Sequence, residues 1–97
     1  MNSQAVARKL IRTARDNGAF SFEVLSEGDV LNETQREDDI VEALHACDEV
    51  TLVIRNEEGK SLTRILFIPS NGEDAISDWT CTTWADSVLD PLLDEIA

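Results

Sequence analysis

The chain is poor in the residues that carry redox and nucleophilic chemistry. It holds one histidine and two cysteines, Cys47 and Cys81, far apart and with no CxxC. Neither thiol has an adjacent basic residue to lower its pKa, so both are expected to be reduced, inert and buried as small apolar groups. His45 and Cys47 stand two apart on a predicted helix and point to different faces, which disfavours a Cys–His pair. No GxSxG, P-loop, HExxH or GxGxxG frame is present. These absences argue against an enzyme, and no cofactor or metal is expected. No apolar run approaches the ~20 residues needed to span a bilayer. The start, MNSQAVARKL, lacks the apolar core of a signal peptide. The expectation is a cytoplasmic protein without membrane contact. There are no internal repeats, linkers or low-complexity segments.

Bases are scarce too, eight against twenty acids, for a formal net charge of −12. The distribution says more than the total. Residues 1–17 carry four bases and one acid, a balance of +3, while residues 18–97 carry four bases and nineteen acids, −15. An acidic body of this kind repels phosphate, which disfavours direct binding to nucleic acid and favours a basic partner or simple solubility. The 97 residues, 42% of them apolar, fit one acidic α+β domain over 1–97. A chain of this size buries roughly two-thirds of its extended surface, so its core is small.

Periodicity supplies the elements. Ser3 reads as an N-cap of a helix to about Asn17, closed by Gly18. Val6, Leu10, Ile11 and Ala14 form its apolar face, and Arg8, Arg12 and Arg15 a basic stripe. That stripe is solvated, paired with the protein's own acids, or a contact for nucleic acid or lipid. AFSFEVLSEGDVLN alternates weakly and gives a short strand or an ordered loop, with any strand stopping by Leu25 before Gly28. Thr34 and Glu37 form a capping-box pattern for a second helix over about 36–47, with Ile40, Val41, Leu44 and Cys47 buried. VTLVIRNEEGKSLTRILFIP predicts a β-hairpin turning at Gly59 and ended by Pro69. Apolar residues on both of its faces predict helices on one side and partial cover on the other. SNGE then makes a hairpin corner into a third strand, DAISDWTCT. Asp90 caps a last helix with Pro91 at its first position, after a turn at 83–88. The expected fold is a three-stranded antiparallel β-meander packed with about three helices, in the order α(β)αβββα.

Three acidic features are candidate sites. Asp38, Glu42 and His45 share a helix face and have metal-ligand chemistry, although an acidic helix with a histidine produces such a triple easily. SNGEDAISD offers oxygens without the spacing of a calcium loop. The broadest candidate is a partner-binding surface of Glu73, Asp74, Asp78, Asp86, Asp90 and Asp94, with Trp79 and Trp84 nearby. Asp86, Asp90 and Asp94 recur every four residues, which on one continuous helix puts carboxylates about 6 Å apart, close to phosphate spacing along a nucleic-acid strand. Tryptophan is both a core residue and a frequent interface anchor.

The stretch DEVTLVIRNEEGKSLTRILFIPSNGEDAISDWT, followed by LDPLLDEI, resembles small acidic accessory proteins of phages and prophages. The resemblance covers roughly residues 37–96 and centres on Asn71, Gly72, Ile76, Ser77, Asp78, Trp79 and Thr80, with Trp79 where tyrosine is more usual. It implies a mobile-element origin and no particular reaction. In size and charge alone, such proteins are similar to inhibitors of host defence, anti-CRISPR proteins among them. The function expected is therefore a non-catalytic protein whose acidic surface blocks a basic, nucleic-acid-binding surface of a host protein. The alternative is a homodimeric structural or assembly protein, joined through its outer sheet face or first helix.

Overall fold

The computed structural model describes residues 1–96. Helix α1, Ser3–Asp16, is capped by Asn2, whose side-chain oxygen accepts the Ala5 N–H at 2.8 Å. The expected cap, Ser3, lies one residue inside, and its hydroxyl bonds His45 Nε2 instead at 2.9 Å. The helix ends where Gly18 takes φ 93° and the Gly18 and Ala19 N–H groups return to Arg15 and Ala14 carbonyls. This left-handed exit satisfies carbonyls that the last turn would otherwise leave open. Val6, Ala7, Leu10, Ile11 and Ala14 are buried.

Strands β1, Ser21–Ser26, and β2, Asp29–Val30, form a hairpin where the sequence offered only a weak strand. Glu27 and Gly28 both take positive φ, 52° and 88°, as a two-residue turn between right-twisted strands requires. Glutamate is a poor residue for that conformation, so the turn carries no usual sequence signal.

Helix α2, Glu37–Leu44, is shorter than the expected 36–47. Its last turn has no base, and Asp48 and Glu49 follow, a charge order that the negative end of a helix disfavours. The capping box does not form. Arg36 occupies the cap position without a side-chain bond, and Thr34 bonds the Arg36 N–H and the Asp39 carboxylate.

Strands β3, Val50–Arg55, and β4, Ser61–Phe67, make the second hairpin. Asn56 holds its turn by accepting the Glu58 and Lys60 N–H groups, each at 3.0 Å, beside Gly59 at φ 84°. Pro69 then opens a 3-10 segment, Pro69–Asp74, rather than a tight corner. This segment packs against α1. Gly72 sits within it at φ 60°, ψ −119°, a backbone state that only glycine adopts freely. Strand β5, Ile76–Trp79, follows, and helix α3 covers Thr83–Ile96.

The sheet has five antiparallel strands in the order β2-β1-β3-β4-β5, not three, within the expected α+β class. One of its faces joins all three helices in a single core, with Phe22, Val24, Leu52, Ile54, Ile65 and Phe67 at its centre. Val53 points the other way, outside that core, yet is 1% exposed. No helix among residues 1–96 is long and apolar enough to cross a membrane.

Candidate functional site

Helix α3 begins on Thr82, whose hydroxyl accepts the Ala85 N–H at 3.0 Å and donates to the Leu62 carbonyl at 2.6 Å. It then runs without interruption through Pro91. The expected turn at 83–88 and new start at Asp90 do not occur. Pro91 lies on the exposed side, and the buried stripe of Ala85, Val88, Leu89, Leu92 and Ile96 holds the helix against the core. Asp86, Asp90 and Asp94 are therefore on one helix, all exposed, separated by one turn each. None of the three has an ion-pair partner among the described residues.

The far end of this row meets the 3-10 segment. Glu73, Asp74 and Asp94 line one shallow concavity with Ile76, Leu93 and Ile96. Glu73 lies 3.6 Å from the Met1 amino group, which partly offsets its charge. Asp78 is not part of this grouping. It stands opposite Leu66 on the outer sheet face, and its carboxylate accepts the Trp79 N–H at 2.9 Å.

Both tryptophans are half-buried and packed against the core. Trp84 Nε1 donates to the Asn17 carbonyl at 2.7 Å, tying the start of α3 to the end of α1. Trp79 Nε1 is buried and has no hydrogen-bond partner among the described residues. Both cysteines are free. Cys47 is half-buried, in the turn after α2, and Cys81 is exposed rather than buried, because it falls in the short link between β5 and α3.

The basic stripe of α1 is used internally. Glu37 takes Arg12 through both carboxylate oxygens, at 2.8 and 2.9 Å, and also accepts Arg8 at 2.8 Å. Arg8 reaches Asp38 as well, at 2.9 Å. The hydrogen bond from Arg12, with Arg8 adding to it, holds the Glu37 carboxyl below its ordinary pKa despite partial burial. Asp38 first, and Glu37 second, raise Arg8 further above its ordinary range, and Glu37 does the same for Arg12. Lys9 pairs with Glu95 at 3.2 Å. Arg15 bonds the Gln35 carbonyl and stacks 5.3 Å from the centre of the Phe22 ring. The first helix is thus docked on acids and an aromatic ring from its own chain, a network the sequence left open.

The triple Asp38, Glu42 and His45 is not assembled as a ligand set. His45 Nδ1 bonds the Val41 carbonyl at 2.8 Å, Nε2 bonds Ser3, and Asp38 holds Arg8. Among the described residues no three acids, cysteines or histidines are grouped to hold a metal ion.

What the chain offers is an exposed acidic ridge along α3, joined at one end to the acids of the 3-10 segment. Fixed carboxylates on a rigid helix attract cationic groups at long range and orient them at short range. No protein-family model, curated protein or solved structure matches the chain, so the resemblance to phage proteins rests on the residues quoted for it alone.

Proposed function

We propose that the protein is a non-catalytic interaction protein, from a phage or other mobile element, that blocks a basic, nucleic-acid-binding surface of a host protein. The observation that carries this reading is the row Asp86, Asp90 and Asp94, exposed along one continuous helix and unmatched by any base among the described residues. Asp74 and Glu73 extend the row at the Asp94 end. Asp78 lies outside it, which narrows the contact set from six acids to five. The four-residue rise of about 6 Å gives carboxylates a spacing near that of successive phosphates, so lysines and arginines arranged for a nucleic-acid backbone fit this ridge. The bases of α1 offer no rival use, because Arg8, Lys9 and Arg12 are occupied by Glu37, Asp38 and Glu95.

The test is capture from host lysate by the tagged chain and by a variant with Asp74, Asp86, Asp90 and Asp94 changed to asparagine. The expected result is a protein retained at low salt by the parent alone, released at high salt, and displaced by duplex DNA competing for the same basic surface. Equal capture by both forms, or capture indifferent to salt and DNA, overturns the reading.

A further inference from the structure

The second face of the sheet lies opposite the core that all three helices share. The strand register arranges it in rows. Glu23, Val53 and Arg64 occupy one row across β1, β3 and β4. Leu25, Thr51 and Leu66 occupy the next, with Asp78 beyond Leu66 on β5. Ser21, Arg55 and Ser61 form the row at the other end. In a chain of net charge −12, the rows set Glu23 and Asp78 against Arg55 and Arg64, while Glu27, Asp48 and Glu49 border a concavity at the Leu25 and Leu66 end. Arg64 is exposed and has no ion-pair partner among the described residues.

The arrangement is symmetric about β3 over β1 and β4, though not at the edges, where Val30 on β2 answers Asp78 on β5. Glu23 and Arg64 flank Val53 one strand spacing away on either side, about 4.8 Å each. Leu25 and Leu66 flank Thr51 in the same way. Consider a second copy turned about a two-fold axis running along β3, midway between two facing sheets. Glu23 then meets Arg64 of the other copy, twice. Leu25 meets Leu66, also twice, and Thr51 meets its own counterpart, while Val53 is already covered by its neighbours on the sheet. Facing sheets pack about 10 Å apart and rotate by about 30°, so opposition is closest near the axis, where these residues lie. Arg55 lies on the axis near one end, but its guanidinium is drawn back to its own Glu23 at 3.9 Å and to the Gly59 carbonyl.

We infer that this face is a self-association surface, on which a second copy of the chain docks by isologous sheet packing. A uniformly basic partner would meet Arg55 and Arg64 here, and an acidic one would meet Glu23 and Asp78. A second copy instead sets Glu23 against Arg64 and Arg64 against Glu23, a reciprocal order that a partner of one sign lacks. The half-buried Leu25, Thr51 and Leu66 retain apolar area to bury on contact.

Sedimentation of the full chain from low to high micromolar concentration tests this, at near-physiological salt where net repulsion is screened beyond about 8 Å. A reversible dimer is expected. Glu23→Arg or Arg64→Glu alone opposes like charges twice and should weaken the dimer on the order of a hundredfold. The double swap Glu23→Arg, Arg64→Glu restores opposition and should restore the dimer. Far-UV circular dichroism checks each fold, and where a swap unfolds the chain, Arg64→Gln is read in its place and should weaken the dimer by about tenfold. A parent monomeric over the whole range overturns the inference, as does a dimer that the single changes leave intact or a folded double swap that stays monomeric.

Discussion

Asn32 stands beside Val24 in the place of a missing strand. Its Oδ1 accepts the Val24 N–H at 2.9 Å, and its Nδ2 donates to the Phe22 carbonyl at 2.9 Å and the Thr34 carbonyl at 3.0 Å. Gln35 repeats the device one step along, accepting the Phe22 N–H at 2.6 Å and donating to the Phe22 carbonyl at 2.9 Å. Strand β2 has only two residues, so these two side-chain amides complete the outer edge of β1. A covered edge is closed to pairing with another chain.

Asn32 is buried, so removing its amide takes the partner from the Val24 N–H and the Thr34 carbonyl and leaves the Phe22 carbonyl to Gln35 alone. Asn32→Ala should destabilise by about 2–3 kcal/mol. Asn32→Asp should do so too, since it keeps the acceptor but loses both donors. Equilibrium urea unfolding reads both, and a change near zero for either would show that water replaces the amide.

The Glu37 hub has a pH signature. Its folded pKa lies below its unfolded one, so its contribution is present above the ordinary carboxylate range and fades as pH falls through the folded value. Glu37→Gln should therefore lower stability at neutral pH, and the gap from the parent should close as pH drops below that range. Unfolding curves at neutral and strongly acidic pH check it. A gap independent of pH would mean that packing, rather than Arg8 and Arg12, accounts for it.

Pro91 separates two readings of the last helix. Inside a continuous α3 it removes one backbone hydrogen bond, so Pro91→Ala should stabilise by about 1–3 kcal/mol. At the first position of a separate helix, proline is favoured, and alanine would leave stability unchanged or lower it. Thermal unfolding distinguishes the two.

The acidic ridge works against its own helix. Asp86, Asp90 and Asp94 repel at i, i+4 spacing, and Asp94 lies near the negative end of the helix. Asp86 stands in the first turn, where the positive end of the helix favours it, so changing Asp90 and Asp94 alone to asparagine should raise stability by about 0.5–1 kcal/mol at low salt, and the gain should shrink as salt is added. A loss of stability would give the row a structural role and weaken the case for a binding one.

Legibility in the sequence followed the range of the signal. The α1 stripe of Val6, Leu10 and Ile11 and the alternation of Val50, Leu52 and Ile54 were readable, because helix and strand periods act within a few residues. The β1–β2 hairpin was not, because Glu27 holds a conformation normally signalled by asparagine, aspartate or glycine. Pro91 misdirected the reading of α3, because burial of Val88, Leu89 and Leu92 outweighs one lost backbone bond. Of the candidate site, the row on α3 was visible as a spacing. That Asp94 joins Asp74, and that Asp78 lies on another face, was not.

From composition and order alone came the acidic balance, the concentration of half the bases in the first seventeen residues and the apolar stripes of the elements. Those properties are local, set by which residues neighbour one another along the chain. Tertiary structure decided which charged faces meet. It spent Arg8 and Arg12 on Glu37, twenty-nine and twenty-five residues away, and left the α3 acids open. It also set Glu23 and Arg64 on either side of Val53. Local periodicity settles which side of an element is apolar, whereas the partner of its polar side depends on how distant elements dock around the shared core.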